Sequence, residues 1–193
     1  MVWFLLLTII GVVLFGWSTY NSLVAQKTRI RASIQEIGNK LKRQAELIPN
    51  LMASVKGYLQ HEQEIFDKIT QVRQLILAAT GTGKAQEMIN ASSQLQAALA
   101  PIRAVFESNP QLQAAGTVTQ LMEELRDTAD KVMYSRRTLI DLTADYNIRL
   151  AVFPSNLMGK MFGFQPEEGL TVPEEKEFLS VKTEELQTPA VKL

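Results

Sequence analysis

Residues 1–17 (MVWFLLLTIIGVVLFGW) carry no charged side chain, and only Thr8, Gly11 and Gly16 interrupt the large apolar ones. As an α-helix at about 1.5 Å per residue the run is about 25 Å long. A bilayer core of about 30 Å takes about 20 apolar residues. Residues 18–25 (STYNSLVA) are also uncharged, so a span from about Val2 to Tyr20, with Trp17 and Tyr20 at one interface, closes the gap. The expectation is a transmembrane anchor over residues 1–19, which makes the lipid bilayer the first partner.

Two other readings use the same stretch. A cleaved signal peptide carries a basic leading segment and a small-residue cleavage site; here the first basic residue is Lys27. A buried core helix needs a domain that encloses an apolar rod on every side, too much for a chain of 193 residues. After Tyr20, Lys27, Arg29, Arg31, Lys40, Lys42 and Arg43 face only Glu36 and Glu46 before Ile48, while no basic side chain precedes the span. The positive-inside rule then puts the remainder in the cytoplasm.

The remainder reads as helix. Leu23, Ile30, Ile34, Ile37, Leu41 and Ile48 form one apolar stripe in phase with the anchor. Lys27 interrupts it, with a stem to lay on the stripe and an ammonium to reach headgroups; Lys27, Arg29 and Arg31 fit a lipid-facing role and an ordinary solvated face alike. Pro49 is expected to end or kink this helix, with Asn50 capping the next. Leu51, Val55, Tyr58, Glu62, Ile65, Ile69, Val72, Ile76 and Ala79 make the clearest heptad. A third helix is expected over 84–106, kinked or divided at Pro101. Residues 107–116 read as a loop with at most one helical turn. A fourth helix, capped by Thr117 or Thr119, runs to about Leu150 along Leu121, Leu125, Thr128, Val132, Ser135, Leu139, Leu142 and Tyr146. Phe153-Pro154 stops it, Ser155 or Asn156 caps a short successor, and 161–164 (MFGF) folds on the base. Beyond Gln165 glutamates outnumber lysines among three prolines, which reads as a flexible acidic tail.

The expected fold is therefore all-α: an N-terminal transmembrane helix continuing into an antiparallel four-helix bundle over 20–164, then a tail over 165–193. A formal charge of zero argues against nucleic acid as partner. One histidine and no cysteine cannot supply a diiron or a zinc site, and Gly81-Thr82-Gly83 lacks the phosphate-loop pattern. No metal, cofactor or catalytic residue is assigned. One cluster stands out: Lys56, Tyr58, His61 and Glu62. Glu62 is the acidic member of the heptad, so it needs a donor from a neighbouring helix, for which Arg136 and Arg137 are the candidates; otherwise the cluster belongs to a ligand or partner site.

The chain resembles the LemA family of bacterial proteins. The resemblance starts at Tyr20-Asn21, Leu23-Val24 and Lys27. It is strongest at Leu41-Lys42-Arg43, Leu47-Ile48-Pro49-Asn50-Leu51, Val55-Lys56-Gly57-Tyr58 and His61-Glu62, and it resumes at Tyr146-Asn147, Phe153-Pro154, Asn156 and Phe162-Gly163-Phe164. Ser33 stands where the family usually has tryptophan, and Leu139-Ile140 where it often has a first Tyr-Asn pair. The resemblance implies a helical protein anchored in the bacterial inner membrane, without an established catalytic activity. The expected function is a non-enzymatic scaffold or adaptor that recruits or organises a protein partner at the membrane. The alternative is a small-molecule sensor or accessory subunit with its site near Tyr58 and Glu62.

Overall fold

The computed structural model describes residues 1–58 and 63–171. All regular structure among them is helical: α1 (Val2–Val55), α2 (Gln63–Thr82), α3 (Ala85–Ser108), α4 (Pro110–Ala114), α5 (Gly116–Ala151) and α6 (Ser155–Met161). α1 packs chiefly along α5 and α2 along α3, and α1 also meets α2, α3 and α6.

The apolar N-terminal run and the first stripe are one helix of 54 residues. Its first part is uncovered, with Trp3, Phe4, Leu6, Ile9, Ile10 and Leu14 all exposed. A core helix would be enclosed, so these side chains belong to lipid. Further along, the sides of α1 diverge. Leu23, Ile37, Leu41, Ile48 and Leu51 are fully buried, each stabilising by about 1.5–3 kcal/mol relative to exposure.

α1 and α5 run antiparallel, and polar contacts pin their register. Ser33 Oγ donates to the Ser135 carbonyl at 3.3 Å. Gln44 Nε2 donates to the Leu125 carbonyl at 3.4 Å, and Arg43 Nε donates to Glu124 Oε1 at 2.7 Å. Ser33 and Gln44 are buried. A slide along the seam would strand their dipoles without partners, so they oppose alternative registers.

Pro49 does not end the first helix; it lies inside α1. A proline has no N–H to give the carbonyl four residues earlier, here Ala45, which is buried. Arg73 of α2 supplies the missing donor: its Nε reaches the Ala45 carbonyl at 2.8 Å. Asn50 accordingly is an interior helical residue and caps nothing. The helix boundary falls after Val55, in a turn at residues 56–58, where the Tyr58 N–H bonds the Val55 carbonyl at 2.9 Å. The long heptad is thus broken in two. Leu51 and Val55 belong to α1, Ile69, Val72, Ile76 and Ala79 are buried on α2, and Tyr58 is 43% exposed.

α2 extends through Thr82 rather than stopping at Ala79. Gly83 makes the turn with a φ of 71°, a left-handed conformation that glycine adopts without a side-chain clash. Pro101 lies within an undivided α3; the carbonyl it frees belongs to Ala97, an exposed residue, where leaving an acceptor without a protein donor costs little. A β-carbon at Gly38 would stand 3.6 Å from the Met88 thioether of α3, an ordinary contact, so this approach of α3 to α1 does not require the glycine. In the following connection Asn109 Oδ1 accepts from Gln111 N at 3.0 Å and Leu112 N at 3.4 Å, capping α4 with Pro110 in its first turn. α5 begins at Gly116 with Ala115 as its cap; neither Thr117 nor Thr119 caps it, and Thr119 Oγ1 instead donates to the Gln113 carbonyl at 3.0 Å. Its buried face follows the expected positions, with Thr143 buried where Leu142 is only half-buried.

Candidate functional site

The two ends of the α1–α5 pair hold the residues singled out in the sequence. At the far end, Lys56 is exposed in the turn after α1. It lines an open hollow with Met52, Gly57, Gln63, Phe66 and Asp67. Tyr58 is exposed beside it, while His61 and Glu62 lie outside the described residues. The candidate cations for Glu62 are remote from this end. Ser135, next to Arg136, pairs with Ser33, which is about 33 Å of helix away from Val55. Arg136 and Arg137 therefore stand nowhere near Tyr58 and Gln63, the described residues on either side of Glu62.

The membrane-proximal base is more fully built. α5 returns to the level where α1 leaves the apolar run, and Tyr146 is buried there. Its hydroxyl donates to the Gln165 carbonyl at 3.1 Å. Asn147 holds the next part of the chain by both amide atoms: Nδ2 donates to the Glu167 carbonyl at 2.9 Å, and Oδ1 accepts from the Glu167 N–H at 3.0 Å. The Glu167 carboxylate meets Lys27 Nζ at 2.6 Å. Thr171 N–H bonds Gln86 Oε1 of α3 at 2.9 Å. Residues 165–171, read from the sequence as the start of a flexible tail, are thus tied to α1, α3 and α5, and Leu170 packs against the core. Lys27 faces Glu167 here, a partner its position on the stripe did not reveal. Burial pushes the Tyr146 phenol above its usual range, with nearby Lys27 opposing and Glu167 adding to the rise.

Between these anchor points the chain folds under the domain. Ser155 does not cap α6 as an acceptor; its Oγ donates to the Arg149 carbonyl at 2.6 Å and the Val152 carbonyl at 3.0 Å, tying α6 to the end of α5. Gly159 sits so close to α5 that a β-carbon would meet Leu150 at 2.7 Å. α6 ends with Phe164 N bonded to the Gly159 carbonyl at 2.9 Å and Gly163 N to the Lys160 carbonyl at 3.2 Å, around a left-handed Gly163 with φ 71°. This is the paired 6→1 and 5→2 helix ending that glycine favours. It turns Phe162 and Phe164 toward α1, where Tyr20 meets both rings edge-on at centroid distances of 5.0 and 5.6 Å.

The base fastens segments together. Among the described residues no group of three or more His, Cys, Asp or Glu side chains is placed to bind a metal ion. Sequence reading singled out Tyr20, Asn147, Gly163 and Phe164 as motif members without finding what they grip. It missed Ser33, Gln44 and Arg73 as partners of backbone carbonyls. The signal for the first two was a polar residue in register with an apolar stripe.

Comparison with known proteins adds one match. The family model described as LemA family matches residues 33–184, most of the chain. A search of curated proteins finds no match.

Proposed function

The chain belongs to the LemA family, whose members are non-catalytic, and from that premise we propose that this bacterial single-pass membrane protein is a scaffold or adaptor, its helical domain on the cytoplasmic side of the inner membrane. One observation carries the reading: the helix that spans the bilayer is also the wall on which the domain is assembled, without a break from Val2 to Val55. The four long helices then act as one antiparallel bundle held at a fixed distance from the membrane. We place partner recognition on the outer face of α5. Met133, Tyr134 and Ile140 are exposed there, with Arg137 one turn from Met133, and aromatic, methionine and arginine side chains suit a protein interface. The excess of Lys27, Arg29, Arg31, Lys40, Lys42 and Arg43 just beyond the span supports the cytoplasmic side.

The test uses the absence of native cysteine. Met133→Cys resists a membrane-impermeant thiol reagent in intact cells and reacts after lysis; reaction before lysis reverses the orientation. A photocrosslinking residue at Tyr134 gives a discrete adduct in cells that Arg137→Glu abolishes. An adduct unchanged by Arg137→Glu removes α5 as the recognition face.

The hollow beside Lys56 and Asp67 favours the second reading, a small-molecule site at the far end. Ligand-induced stabilisation that Lys56→Ala eliminates, with α5 crosslinking absent, would make that reading the better one.

A further inference from the structure

α6 and the corner that leads into it lie beside the lipid-facing part of α1, not beneath it. Met158 packs at Gly16, with its sulfur 3.4 Å from where a β-carbon would stand. A shallow apolar pocket joins Val12, Val13 and Trp17 of α1 to Met158, Met161 and Phe162. The α6 end is therefore level with the stretch from Val12 to Tyr20. With Tyr20 at the interface, Val12 lies about 12 Å further into the bilayer. Among the described residues none covers the outward faces of these side chains, and at that level the surroundings of the span are lipid.

Those faces are apolar and, among the described residues, uncovered. Phe153 is 77% exposed and Met161 65%, and Val152, Leu157 and Phe162 are each about half exposed. Between Arg149 and Glu167 the only charged residue is Lys160, which is exposed and long enough to carry its ammonium to the headgroups. A soluble domain seldom shows so continuous an apolar surface without an occupant. Here the surface is continuous with the exposed span itself, which identifies the occupant.

We propose that α6 and its preceding corner, residues 152–162, are a second membrane contact: an interfacial wedge in the leaflet through which α1 emerges. Its depth matches interfacial helices, whose apolar faces sit about 5–10 Å into the headgroup and acyl boundary. Ser155 ties the leading end of the wedge to α5, and Tyr20 holds its trailing end to the span through Phe162 and Phe164. The protein therefore meets the bilayer at two joined places, and the domain has one defined rotational setting over it.

The full chain, reconstituted in vesicles of phosphatidylcholine and phosphatidylglycerol, tests this with an environment-sensitive fluorophore on single cysteines. Leu157→Cys and Phe153→Cys report the wedge, Ile9→Cys the span and Met133→Cys the solvent face. Both wedge probes are expected to be quenched by shallow spin-labelled lipid several-fold more than the Met133 probe, and to be shielded from aqueous iodide. Ile9 responds to a deep spin label. Iodide quenching at Leu157 and Phe153 equal to that at Met133, with Ile9 still buried, overturns the wedge alone. Shielding from iodide without quenching by spin-labelled lipid also overturns it, and resonance energy transfer between copies would then identify a second chain as the cover. Exposure of Ile9 overturns both the span and the wedge.

Discussion

Arg73→Ala removes the one side chain that answers the carbonyl freed by Pro49. The Ala45 carbonyl is buried, and its bond from Arg73 Nε is 2.8 Å long. A hydrogen bond involving a charged group contributes about 1.5–3 kcal/mol, and an orphaned buried acceptor costs about 1–3 kcal/mol. We take about 2 kcal/mol for the loss, since Arg73 is only part-buried. For a chain of this size that is a fall in Tm of about 4–8 °C. Pro49→Ala restores an N–H to the same carbonyl, so Arg73→Ala in that background should cost less than half as much. The assay is thermal or denaturant unfolding of the full chain in detergent, followed by helical circular dichroism, as a double-mutant cycle over the four chains. Equal costs of Arg73→Ala with and without Pro49 would refute the reasoning, because Arg73 would then act through its packing or charge and not as a substitute donor.

Three more outcomes follow from the base and the span. Asn147→Ala removes both bonds to the Glu167 backbone and should raise amide hydrogen exchange across residues 165–171, with a loss of about 1–2 kcal/mol there, while exchange in α2 stays unchanged. Tyr146 titrates higher folded than unfolded, so in the window from its ordinary range near pH 10 up to its raised value the native state holds more protons and stability falls as pH rises; Tyr146→Phe should flatten that decline, as seen in denaturant midpoints at pH 9–11. Replacing both Leu6 and Ile10 by arginine costs about 2.5–3.5 kcal/mol at each site near the middle of the span, so membrane fractionation should find the variant largely uninserted.

The stripes were legible because burial follows helical periodicity. Leu23, Ile30, Ile37, Leu41 and Ile48 are buried as their spacing requires, and so are Leu121, Leu125, Val132 and Leu139. The short turn around Pro110 was legible for a local reason: Asn109 caps it and Pro110 cannot extend what precedes it. A helix end at Pro49 was a misreading, because the cost of a proline is local while its remedy is not. The donor that lets α1 continue comes from Arg73 on another helix, and no spacing rule links the two. Tyr58 was misread because heptad register carries on through any sequence, whereas the chain turns at residues 56–58. The docking of 165–171 was invisible because it depends on backbone groups of Gln165 and Glu167, which leave no trace in composition. In the candidate site, Tyr146, Asn147 and Phe162-Gly163-Phe164 were noticed as motifs, but their shared purpose appears only when α6 folds back on α1.

An unbroken α1 makes the protein a lever. From Tyr20 to Val55 there is about 52 Å of helix, and the uncovered span below it is the short arm. Membranes of different thickness impose different tilts on a span, commonly across tens of degrees. A change of about 10° at the short arm sweeps the far end sideways by about 9 Å, a displacement as large as the spacing between packed helices. Bilayer thickness is thereby converted into position, and a partner seated far from the lipid would register it without touching the membrane.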